Sequence, residues 1–191
     1  AMGYEVAVTP LQLAAAYVAI ANGGELLEPA LVKEVRAPDG RVLYQHKRRV
    51  VRRVLSPDVS RRVRKMLLDV VEEGGTAKLA DLQTFTLAGK TGTARRTVRG
   101  RYAAGQHIPT FVGLFPAEQP QFVILVKLDN PRGAYYGGLT AAPVTKAVLE
   151  AALASRNASL DRGTLAASRQ DARVDSARAR ASALVDARIA A

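Results

Sequence analysis

The sequence predicts an α+β fold in which an antiparallel sheet is flanked by helices. Three observations carry this. Two strand-like runs, 109–115 and 121–128, are separated by the turn residues Pro116-Ala117-Glu118-Gln119-Pro120, a link too short for a parallel crossover. Helical patterns stand before and after the strand-rich stretch rather than alternating with it. A Pro38-Asp39-Gly40 turn separates the runs 31–35 and 41–44, which makes a hairpin.

The elements follow in order. Thr9-Pro10 supplies an N-cap with proline at the first helical position, and Leu11 to Ala21 runs on as an apolar helix stopped by Asn22-Gly23-Gly24. It is apolar nearly all round, so a buried helix is expected. The hairpin 31–44 comes next. Ser56-Pro57-Asp58 repeats the cap pattern. Val59, Val63, Met66, Leu67, Val70 and Val71 then fall on one helical face, with Arg61, Arg62, Arg64 and Lys65 mostly on the other, wet one. Gly74-Gly75 stops this helix. Residues 84–94, rich in Thr and apolar side chains, are expected as a strand. The run 121–128 is apolar enough for a central strand. Ala141 to Ala154 forms a closing helix with Val144, Val148, Leu149 and Ala152 on one face. Beyond it, residues 155–191 hold 11 Ala and 7 Arg with no aromatic or proline. Too few apolar side chains stand there to offset ordering entropy, so 1–154 is expected as the domain and 155–191 as a disordered or marginally helical tail.

Composition removes several function classes. The 191 residues contain no Cys and only two His, His46 and His107, which excludes disulfides, thiolate chemistry and a multi-histidine metal centre. No cofactor is called for. Both histidines lie near turn residues and receive no role. The longest nearly uninterrupted apolar run, Leu13 to Ala21, is far shorter than the ~20 residues of a membrane-spanning helix. The formal charge of +11 asks for an anionic partner. It concentrates in Arg41 to Arg53 and in Arg95, Arg96, Arg99 and Arg101. Specific nucleic-acid binding is not expected, because aromatics make up only 5% of residues and no familiar nucleic-acid module is spelled out.

One short run has the makings of a reaction site. In Lys90-Thr91-Gly92-Thr93 a cation stands beside two hydroxyls two residues apart, which share a face of a strand. The intervening glycine lets another backbone approach, and an edge strand of this kind can receive an extended peptide or turn its N–H groups on an oxyanion.

Four blocks now stand together: Gly3-Tyr4-Glu5-Val6-Ala7-Val8-Thr9-Pro10-Leu11-Gln12-Leu13-Ala14, Glu73-Gly74-Gly75-Thr76-Ala77, Ala88 to Ala94, and Tyr135-Tyr136-Gly137-Gly138 with Ala141-Ala142-Pro143-Val144. In order and spacing they resemble the C-terminal half of the transpeptidase domain of class B penicillin-binding proteins. The Thr-Pro-Leu-Gln-Leu-Ala start looks most like the cell-division, septal branch. The resemblance implies part of the penicillin-binding transpeptidase (serine β-lactamase-like) fold, and acyl transfer that cross-links peptidoglycan stem peptides through a serine acyl-enzyme. It implies that Lys90 sets a positive field, that Thr91, Gly92 and Thr93 line the substrate groove, that the Thr93 hydroxyl binds the donor's carboxylate, and that the Thr93 N–H is half of an oxyanion hole. It implies stem peptides and β-lactams as ligands, division-complex proteins as partners, and the extracytoplasmic face of the inner membrane as location.

The chain departs from that pattern. The family also uses a Ser-x-x-Lys pair and a Ser-x-Asn element. Here no Ser is followed three residues later by Lys, and the single Ser-x-Asn, Ser155-Arg156-Asn157, lies on the wrong side of Lys90 in the chain. The nucleophile is therefore expected from a missing N-terminal half of the domain, and the chain alone is expected to be inactive. The competing expectation is a non-catalytic, transpeptidase-like scaffold or binding module of the division machinery.

Overall fold

The computed structural model describes residues 6–167 apart from 73, 83, 156 and 157. The chain divides into two compact units, 1–65 and 66–191.

The first unit opens with α1, Pro10–Ala21. Its start is a capping box: the Gln12 N–H donates to Thr9 Oγ1 (3.2 Å) and the Thr9 N–H to Gln12 Oε1 (2.8 Å). Its end is set by Gly23 and Gly24, both at positive φ. Against the expectation of a buried helix, Ala19 is its one buried residue and Leu11 is 56% exposed. Two antiparallel ribbons follow. β1, Glu25–Leu27, pairs with β4, Val50–Arg53, and β2, Glu34–Arg36, pairs with β3, Val42–Gln45. The expected Pro-Asp-Gly hairpin is the second of these, with Gly40 at φ +85° and Asp39 Oδ1 accepting the Arg41 N–H. The β1–β4 ribbon escapes sequence reading because β4 lies inside a basic run. Arg48 and Arg53 both sit on the Glu25 carboxylate, and Arg49 on Glu28. Next, α2 spans Pro57–Leu68, three residues short of its apolar pattern.

The second unit is an antiparallel three-stranded sheet in the order β5-β6-β7, with α3 packed on it. β5 is Ala88–Val98, β6 is Arg101–Phe115, β7 is Phe122–Lys127, and α3 is Gly137–Ala154. Phe111, Phe115, Ala141, Ala142 and Leu149 form the centre of the core and are fully buried. Burial of each large side chain here is worth about 1.5–3 kcal/mol. Phe122, Ile124 and Val126 pack against the same core, so β7 turns alternate residues towards α3. The expected central strand 121–128 is a sheet edge among the described residues.

Other boundaries also differ from expectation. β5 starts at Ala88, because Thr84 folds back on the Leu82 carbonyl through both its N–H and its hydroxyl. β5 and β6 extend through the basic run 95–101 as one long hairpin, closed by Arg99 and Gly100, both at positive φ. The packed domain does not stop at residue 154. Leu160 and Leu165 join the core, and Gln121 both donates to and accepts from the Asp161 backbone. Two well-placed leucines bring the start of the alanine-rich segment into the fold; residues 168–191 of the expected tail lie outside the described residues.

Candidate active site

Lys90, Thr91, Gly92 and Thr93 lie on β5, the outer strand of the sheet, opposite Val112, Phe111, Thr110 and Pro109 of β6. The ladder fixes them on one side, and the other edge of β5 carries no further strand among the described residues.

Each polar side chain of this run has a defined partner. Lys90 Nζ donates to the Thr91 carbonyl at 2.7 Å, using one of the three donors an ammonium carries. Thr91 Oγ1 lies 3.0 Å from Thr76 Oγ1. Thr93 Oγ1 accepts the Gly137 N–H at 3.2 Å. A hydroxyl that already accepts a backbone N–H keeps its own proton to donate to a further acceptor such as a carboxylate.

Glycines build the place. A Cβ on Gly138 would fall 1.8 Å from the Thr76 carbonyl oxygen. One on Gly137 would fall 2.3 Å from the Thr110 oxygen and 2.6 Å from the Gly92 oxygen. The first turn of α3 therefore rests on bare backbone and aims the Gly137 N–H at β5, where the positive end of the helix dipole favours an anion. A Cβ on Gly92 would lie 2.4 Å from Thr110 Oγ1. A side chain here would have to displace the Thr110 hydroxyl on the neighbouring strand. Gly75 serves the same end: the tight turn before Thr76 leaves no room for a Cβ beside the Val70 and Asp69 carbonyls. Three of the four sequence blocks, through their residues 74–77, 88–94 and 135–138, thus meet at one spot in the second unit.

Beside the site stands an aromatic stack of which the motifs show only the Tyr135-Tyr136 half. His107 stacks on Tyr135 with ring centres 4.2 Å apart, and Tyr135 lies against Tyr136 at 4.4 Å. The Tyr135 hydroxyl donates to Tyr136 Oη, and this hydrogen bond pushes the Tyr135 phenol above its ordinary pKa. Tyr136 is the N-cap of α3, so the stack ends at the residue before Gly137. The Tyr-Tyr pair before Gly-Gly was the available signal. His107, to which the sequence assigns no role, is half-buried on β6.

The arginines separate. Arg96 is held by Gln106 (3.1 Å) and Asp129 (3.3 Å). Arg99 lies six residues along the strand from Thr93, about 20 Å at strand rise. Arg99 is therefore too far along the ribbon to flank Thr93.

The sequence matches the family described as the penicillin binding protein transpeptidase domain over residues 1–150. It is 37% identical over 152 residues to the "Probable peptidoglycan D,D-transpeptidase PenA" of Neisseria flavescens, covering 79% of this chain and 35% of that protein. It is 36% identical over 155 residues to stage V sporulation protein D of Bacillus subtilis, covering 80% and 24%. Among solved structures, penicillin-binding protein 3 of Mycobacterium tuberculosis superposes with a TM-score of 0.70 at 34% identity, covering 78% of this chain and 35% of that one. The transpeptidase domain of Burkholderia pseudomallei penicillin-binding protein 3 gives 0.66 at 32%, covering 83% and 46%. The mycobacterial protein is also solved with ampicillin and with aztreonam. The α+β architecture is that of these penicillin-binding transpeptidases. The chain belongs to the penicillin-binding protein transpeptidase domain family, and it spans about a third of the length of the Neisseria relative.

Proposed function

We propose that this chain is the substrate-carboxylate side of a peptidoglycan D,D-transpeptidase, and that the nucleophile comes from a segment outside these 191 residues. The observation that carries the reading is the Thr93 hydroxyl. It accepts the Gly137 N–H from the first turn of α3 while its proton stays available, on an edge strand that also bears the Lys90 ammonium. That set suits the terminal carboxylate of a D-Ala-D-Ala stem or of a β-lactam.

In this reading the stem peptide lies along the outer edge of β5. A serine hydroxyl from the complementing segment attacks the penultimate carbonyl carbon. The Thr93 N–H shares the developing oxyanion, the C–N bond breaks, and D-Ala leaves with the proton. An amine of a neighbouring stem then attacks the ester and releases the serine. Lys90 supplies positive field, and Thr91 and Gly92 shape the groove wall. The uncovered apolar α1 and the apolar edge strand β7 support a complementing half that buries them. The names of the relatives support a setting in cell-wall synthesis at the cell envelope. The septal branch, the extracytoplasmic face and division-complex partners belong to the same proposal.

The test is to express the preceding part of the gene's transpeptidase domain with this chain and add a fluorescent penicillin. The expected result is a covalent adduct on the Ser-x-x-Lys serine of the added half, seen only when both pieces are present. Absence of an adduct from a properly associated pair contradicts the reading and favours the non-catalytic scaffold.

A further inference from the structure

The outer half of the β5–β6 hairpin has no place in the acyl-transfer site. β7 pairs with β6 only over Thr110–Phe115. Further out, the two strands run as a bare ribbon to the Arg99-Gly100 turn, with Thr97 opposite Tyr102 and Val98 opposite Arg101. Between Asp81 and Glu118 the sequence has no acidic residue, but it holds Lys90, Arg95, Arg96, Arg99 and Arg101.

The two basic clusters of the chain differ in how their charge is met. In the first cluster, Arg41, Arg48, Arg49 and Arg53 sit on carboxylates of their own ribbons, and only Lys47 and Arg52 form no ion pair among the described residues. In the hairpin, Arg96 is paired with Asp129, but Arg99 and Arg101 form no ion pair among the described residues. Beside them, Val98 is 45% and Tyr102 is 54% exposed. Arginine and tyrosine without lysine is the composition of protein–protein contact centres.

We infer that this hairpin tip is a docking finger for an extended, acidic segment of a partner protein. β5 is a sheet edge, so its backbone groups can take up one more strand. The planar guanidinium groups of Arg99 and Arg101 can each grip a carboxylate through two hydrogen bonds. An acidic peptide satisfies the backbone edge and the charges together. A lipid surface or a phosphate polymer answers only the charges.

The inference does not depend on the transpeptidase reading and is tested on the 191-residue chain itself. The probe is a short fluorescein-labelled peptide alternating Glu and Val, followed by fluorescence anisotropy at low salt. Arg99→Ser with Arg101→Ser should weaken binding about tenfold or more. Arg61→Ser with Arg62→Ser removes the same charge elsewhere and should change it less than about twofold. Arg99→Lys with Arg101→Lys keeps the charge and should lie between. On the unaltered chain, amide shifts on peptide addition should fall on residues 94–102. The inference is overturned if the Arg99 and Arg101 variants bind as well as the original, if the Arg61 and Arg62 variant loses as much, or if the shifts map elsewhere. It is also overturned if polyphosphate or phosphatidylglycerol vesicles bind as tightly as the peptide with the same dependence on the tip.

Discussion

The hydroxyls and phenols around β5 do their work through single, directed hydrogen bonds, and these can be probed one residue at a time. Tyr135 donates to Tyr136 Oη, and that bond, reinforced by repulsion between the two phenolates and by desolvation, holds Tyr135 protonated beyond its ordinary range. A raised phenol value means that the fold favours the neutral form. The contribution is whole at neutral pH and is lost as pH rises through Tyr135's value in the folded state. Tyr136→Phe should therefore move the alkaline titration of Tyr135 down towards that of a free phenol, read from tyrosinate absorbance or from the ring carbon shift. An unchanged titration would mean that the neighbouring hydroxyl is not the cause. At this scale Lys90, Thr91 and Thr93 stand out in the sequence, because a cation and two hydroxyls at strand spacing advertise themselves. The sequence is silent about their partners. Nothing in a linear reading says that Thr91 meets Thr76 or that Thr93 accepts from Gly137, since those pairings join segments 15 and 44 residues apart.

Among the elements, α3 is the one the site depends on most. A pattern reader takes Gly137-Gly138 as a place where helices stop, and so starts this helix at Ala141; in the fold the helix begins at Gly137. Only glycine lets its first turn touch the backbone of Thr76, Gly92 and Thr110. Gly138→Ala puts a carbon 1.8 Å from a carbonyl oxygen that is itself backbone. It should lower stability by about 1–3 kcal/mol, measured as a shift of the urea midpoint. A midpoint that does not move would mean that the contact is loose. The β5–β6 ribbon and the β1–β4 pair were missed for a common reason. Both lie in arginine-rich runs, where charge masks the alternation that marks a strand, and Arg99-Gly100 is not one of the familiar hairpin dipeptides. The packing of the segment after Ala154 is hidden for the opposite reason. Its apolar residues are sparse, but Leu165 is only 4% exposed and sits in the core. Leu165→Ala should cost about 2–5 kcal/mol in the same unfolding experiment. A cost near zero would return this segment to the status of an appended tail.

For the molecule as a whole, the α+β class and the helix–hairpin–helix–sheet–helix order were legible because hydrophobic periodicity and turn residues encode them locally. The family was legible because four blocks occur in register, and three of them converge on one spot in the second unit. The edge position of β7 was not legible, since an apolar run such as Phe122–Lys127 looks central wherever its neighbours are. The apolar exposure of α1 was hidden for the same reason: burial is a property of what packs against a helix. Both features fit a chain that spans about a third of the Neisseria flavescens relative. The central claim is that Thr93 binds the carboxylate of the acyl donor. It is tested most directly by the second-order acylation rate of the reconstituted pair, measured with a penicillin and with its methyl ester, before and after Thr93→Val. Loss of a charge-assisted hydrogen bond worth roughly 1.5–3 kcal/mol should slow acylation by the free acid about tenfold to a hundredfold and leave the ester's rate nearly unchanged. Equal slowing of acid and ester, or no slowing of either, would contradict the claim.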